Sequence, residues 1–80
     1  MYTIEINKND GEGLRFIVGC EFCDEKLAKQ IFQEISRVYG KKPHYDERDY
    51  LIDLYYNEDL VKTVVTDAQG AKKIGERYFK

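Results

Sequence analysis

Two thiols stand three positions apart in Cys20-Glu21-Phe22-Cys23. At that spacing one thiolate can attack a disulfide while the second releases the mixed product. Phe16-Ile17-Val18-Gly19 lies just ahead of them, and the clearest helical period in the chain follows, running to Gly40. A thiolate in the first turn of that helix would be stabilised by the positive end of the peptide dipole. Zinc would need four ligands, and beyond this pair the chain offers one histidine, His44, expected at the opposite end of the fold. No metal site is therefore expected.

Strand, Cys-x-x-Cys and helix in that order resemble the redox centre of thioredoxin and glutaredoxin proteins. The resemblance implies thiol–disulfide exchange at Cys20, with Cys23 as the resolving thiol. It covers only residues 16–23 and the start of the helix. The family places proline or glycine with an aromatic between its cysteines, whereas this chain has Glu21, whose charge opposes a neighbouring thiolate. The family also has a proline far downstream beside the thiols, and the single proline here is Pro43. Redox chemistry thus ranks third among the functional readings, and packing of either cysteine as a small apolar residue is the ordinary alternative.

Other catalytic chemistry has less to stand on. His44 is the one side chain that ordinarily titrates near neutrality, and no Ser or Cys stands at a motif spacing from it. Asp49 and Asp53 lie two pleats apart on the outer face of a strand, where carboxylates are expected to be solvated. The chain has no Gly-rich phosphate loop and no helical metalloprotease pair. No catalytic residue and no cofactor is expected, and enzyme is the weaker class.

With 80 residues and 42% hydrophobic content, the chain has room for one core, so residues 1–80 are expected to form a single small domain. Charged residues of both signs make up 35%, and four Phe and seven Tyr accompany them, a composition that points to a soluble globular fold. No apolar run approaches the roughly 20 residues that span a bilayer, and MYTIEINKND lacks the signature of a signal peptide. The expected setting is intracellular and cytoplasmic, away from membranes. Two cysteines so close together cannot staple a fold. The net charge of −2 conceals blocks: residues 1–25 and 46–67 are acidic in excess, residues 26–45 and 68–80 basic.

The elements must position these groups. Tyr2, Ile4 and Ile6 alternate with polar residues, and Leu14, Phe16 and Val18 repeat the pattern after Asn9-Asp10-Gly11. Period two with one apolar face predicts a β-hairpin, and a three-residue loop with Gly11 left-handed pairs Ile4 with Phe16 and Ile6 with Leu14. Leu27, Ala28, Ile31, Ile35, Val38 and Tyr39 form one helical face, with Asp24 and Glu25 in the first turn and Gly40 as a left-handed cap. Pro43 stops that helix, and Tyr50, Ile52, Leu54 and Tyr56 predict a third strand. From Asn57 two signals conflict. Thr63-Val64-Val65-Thr66 is four β-branched residues in a row, yet Leu60, Val61, Val64, Val65, Ala68, Ala71, Gly75, Tyr78 and Phe79 hold one helical face with Asn57 as N-cap. The periodicity predicts a helix over 60–79. A break at Gly70, with Lys73 to Phe79 as a fourth strand, is the alternative.

The expected fold is α+β, ordered β-β-α-β-α, with a three-stranded antiparallel sheet in the order 2-1-3 and both helices on one face. Parallel helices would bring Arg37, Lys41 and Lys42 together with Lys72, Lys73 and Arg77 at one basic pole. That element order also looks loosely like the small translation initiation factors that bind the ribosome, and such a pole would suit RNA or DNA. The leading expectation is different: a regulatory module that binds a protein partner or itself through the open sheet face and its edge, using Arg15, Ile17, Leu51, Asp53 and Tyr55.

Overall fold

The structure is a computed structural model that describes residues 1–9, 13–41 and 48–79. Strands β1 (Tyr2–Asn9) and β2 (Leu14–Phe22) lead into helix α1 (Glu25–Tyr39); β3 (Tyr50–Tyr56), β4 (Asp59–Thr66) and helix α2 (Ala68–Tyr78) follow. All strand pairs are antiparallel and the sheet runs β2-β1-β3-β4. The expected 2-1-3 order is present, with a fourth strand added beside β3. Among the described residues no helix is long and apolar enough to cross a membrane.

That fourth strand corrects the helix predicted over 60–79; the alternative of a fourth strand in the C-terminal segment holds, but the strand is Asp59–Thr66 and not Lys73 to Phe79, since residues 73–78 belong to α2. β-Branched propensity prevails over helical period because β3 offers a full ladder of partners, from Leu51 opposite Val65 to Leu54 opposite Lys62. Asn57 is no helix cap. It sits at φ 57 in the turn between β3 and β4, a left-handed conformation that asparagine tolerates, and its amide donates to the Met1 carbonyl at 2.8 Å. Asp67 caps α2 instead, accepting from the Gly70 amide at 2.7 Å.

One core fills the space between the sheet and the helices. Ile4, Ile6, Ile52 and Leu54 meet Ala28, Phe32 and Ile35 of α1 and Ala71 and Ile74 of α2. The buried stripe of α1 therefore runs through Phe32, while Leu27 and Val38 are exposed. At 3.6 residues per turn those two lie roughly 90–110° from the line through Ala28, Phe32, Ile35 and Tyr39, outside the contact with the sheet. Gly40 does not adopt the left-handed cap expected of it; its φ is −65, and a side chain there would run into the Ser36 carbonyl and Val64.

The hairpin register also differs from expectation. Ile4 pairs with Cys20 and Ile6 with Val18, and a bulge after Ile6 then sets Asn7 opposite Phe16 and Lys8 opposite Arg15. β2 is longer than the alternation of Leu14, Phe16 and Val18 suggested, and the bulge moves its residues by one place relative to β1. Of the predicted hairpin loop Asn9-Asp10-Gly11, Asn9 instead ends β1 opposite Leu14, and Asp10 and Gly11 lie outside the described residues, as do Lys42, Pro43, His44 and Tyr45.

Candidate functional site

Strand registers divide the sheet into two faces. Tyr2, Ile4, Ile6, Ile52 and Leu54 turn to the helices. The other face carries three rows, since residues directly opposite in an antiparallel ladder share a side. Phe16, Asn7, Leu51 and Val65 form the first, Gly19, Glu5, Asp53 and Thr63 the second, and Glu21, Thr3, Tyr55 and Leu60 the third. No described element covers this face.

The middle row sets two carboxylates, Glu5 and Asp53, directly opposite each other, an arrangement that repulsion disfavours. Asn7 resolves it. Its amide nitrogen donates to Asp53 Oδ2 at 2.7 Å and to Glu5 Oε1 at 3.4 Å, while Thr63 Oγ1 donates to Asp53 Oδ1 at 2.7 Å. Asp53 is only 2% exposed despite lying on the uncovered face, and Asn7 is also buried. The expectation that Asp49 and Asp53 are solvated is therefore corrected. Asp49 is equally buried and is held by Lys41 Nζ at 2.7 Å.

Apolar groups flank this polar row on both sides. The Phe16 ring lies over Gly19 beside the Glu5 stem, so that a Cβ at Gly19 would be 3.1 Å from Phe16 Cε1 and 3.3 Å from Glu5 Cγ. Phe16 is 59% exposed and Leu60 56%, with half-buried Leu51, Tyr55 and Val65 between them. Burial raises the Tyr55 hydroxyl above its ordinary pKa, and the charges of Asp53 and Glu5 push it the same way.

Of the residues expected on this face, Leu51, Asp53 and Tyr55 are there. Ile17 and Arg15 are not: Ile17 is the bulged residue and lines a groove of about 480 Å³ against Ala71, Lys72 and Gly75 of α2, and Arg15 shares the register of Lys8, whose ammonium lies 5.2 Å from the Tyr50 ring on the helix side. Sequence reasoning missed Phe16, Asn7, Thr63, Val65 and Leu60. The bulge hid the first, and assigning residues 60–66 to a helix hid the last three.

The parallel-helix geometry behind the basic pole is corrected by β4, which reverses the chain and starts α2 where α1 ends. Thr66 Oγ1 donates to the Tyr39 carbonyl at 2.8 Å and the Lys41 amide to Val65 O at 2.9 Å. Lys41 is engaged by Asp49, Arg77 reaches Glu34 at 2.8 Å, and Arg37, Lys72 and Lys73 are exposed. Lys42 lies outside the described residues.

Cys20 is within β2, opposite Ile4, and Cys23 is exposed just after the strand; both are free thiols. The helix amides that would stabilise a thiolate are already used. Asp24 Oδ1 accepts from the Lys26 amide at 2.9 Å and the Leu27 amide at 3.3 Å. Among the described residues, no group of three or more His, Cys, Asp or Glu side chains is placed to hold a metal ion. Comparisons with protein-family models, curated proteins and solved structures return no match.

Proposed function

We propose that the protein is a non-enzymatic interaction module that docks a protein partner on the uncovered face of its sheet. The observation that carries this reading is the pair of exposed side chains, Phe16 and Leu60, at opposite corners of a face whose central polar groups satisfy one another. Isolated apolar residues in water need no explanation, but here they share two rows of one sheet face with Leu51, Tyr55 and Val65. Aromatic groups held on strands offer contact area with little rotamer freedom to lose.

Nucleic-acid binding through the helix ends has less support, because Lys41 and Arg77 are bound to carboxylates and the helices do not finish at a common pole. The test of the docking reading is Phe16→Ser combined with Leu60→Ser. Both side chains are exposed, so folding should be retained. Affinity capture from the native host should lose its specific partner, and the reading fails if capture and sedimentation are the same as for the wild type.

A further inference from the structure

Among the described residues, the charge in the registers of the docking face is of one sign: Glu5, Glu21 and Asp53 occupy them, and no Lys or Arg shares them. Lys41, whose amide bonds to Val65 at the rim, is already engaged by buried Asp49. The acidic character continues past the face. Glu21, Asp24 and Glu25, the last paired with Lys29 at 2.7 Å, gather where β2 passes into α1, and Glu58 in the β3–β4 turn and Asp59 at the start of β4 lie at the neighbouring end of the sheet, the two being joined through Tyr2 opposite both Phe22 and Tyr56.

Resting on the docking reading above, we infer that the partner is a basic amphipathic protein segment, which sets apolar side chains on the Phe16–Leu51 and Tyr55–Leu60 rows and a lysine or arginine on Glu5. A second copy of the same face would bring three carboxylates against three, which complementarity forbids. A phosphate backbone or an anionic membrane would meet the same repulsion. Glu5 is the group that selects. Asp53 has both carboxylate oxygens bonded and is buried, whereas Glu5 is half-buried, receives only the long bond from Asn7 and stands beside an aromatic ring. A cation entering there would gain the Glu5 charge and the face of Phe16 together. An amphipathic helix is a natural occupant, because the uncovered side of a sheet is where a further helical layer packs.

The probe is an amphipathic peptide of leucine and lysine at helical spacing, compared with its counterpart carrying glutamate in place of every lysine, titrated at low salt into isotope-labelled protein. The lysine peptide should shift the amides of Glu5, Asp53, Tyr55 and Phe16, and the glutamate peptide should not. Glu5→Gln keeps an oxygen to accept from Asn7 and removes only the charge, so it should weaken binding by about threefold, an effect that salt should erase. Glu58→Gln, beyond the face, should leave it unchanged. Equal binding of both peptides at the face, or no effect of Glu5→Gln, overturns the cationic inference while leaving the docking reading intact. Shifts confined to the helices or the β3–β4 turn, no shifts at all, or a dimer formed through this face without peptide also overturn it. The docking reading is then decided by the Phe16→Ser, Leu60→Ser comparison.

Discussion

Asn7 is the side chain on which the candidate face depends. Its amide bridges two carboxylates that the strand register forces together, and both Asn7 and Asp53 are almost fully buried. Removing the bridge leaves a buried carboxylate short of one donor and unscreened from Glu5, and an orphaned buried acceptor costs about 1–3 kcal/mol, more when charged. Asn7→Ala should lower unfolding free energy in urea by about 2–3 kcal/mol. The outlying Glu21→Gln, exposed and unbonded to this network, should change stability by less than about 0.5 kcal/mol. Equal effects of the two would mean that the bridge contributes nothing. The sequence displayed Asn7 only as one more polar residue in an alternating strand, since its role depends on Asp53, 46 positions away.

The most informative element is β4 with its handover to α2. Thr66 and Asp67 end the strand and cap the helix within two residues, and Gly70 lies in the first turn with its Cα against Thr66 Oγ1. By helix propensity alone, alanine at Gly70 should stabilise α2 by about 1 kcal/mol. Here it should do the reverse, because a Cβ would collide with the Thr66 hydroxyl that bonds to the Tyr39 carbonyl. Gly70→Ala should lower the melting temperature, and Thr66→Ala should be less damaging in that background than alone; additive losses would exclude the clash. The same junction shows what the chain made legible. β1, β3 and the body of α1 follow from alternation and helical period, which are local, and the antiparallel 2-1-3 order from the handedness of the helical crossover. The β4 and α2 boundary did not follow, because Leu60, Val61, Val64 and Val65 satisfy a helical stripe as well as they satisfy a strand, and only the free edge of β3 decides between them. The bulge after Ile6 was equally hidden. One inserted residue exchanges Phe16 for Ile17 on the open face, and so changes the membership of the candidate site without altering the pattern.

Across the whole molecule, a polar clamp joins the two helices. Tyr78 at the end of α2 donates to Glu34 of α1 at 2.7 Å, and Arg77 reaches the same carboxylate oxygen at 2.8 Å. Burial pushes the Tyr78 hydroxyl up to about 12, with the Glu34 bond adding to the rise; Arg77 opposes it. An unfolded tyrosine ionises near 10. Since the folded pKa is the higher, the native state retains the proton longer than the unfolded chain does, so the stability due to this group is complete below about pH 10 and is lost as pH rises towards about 12. Tyr55, also raised, acts in the same direction from the other face of the sheet. Alkaline titration should therefore lower the urea midpoint steadily above pH 10, at a point where the carboxylates no longer titrate. Tyr78→Phe keeps the ring and removes the ionising hydroxyl. It should be less stable at neutral pH by about 1 kcal/mol for the lost bond, yet decline less steeply from pH 10 upward, so that the two stability curves converge. Parallel curves would show that the proton on Tyr78 has no part in holding α2 to α1.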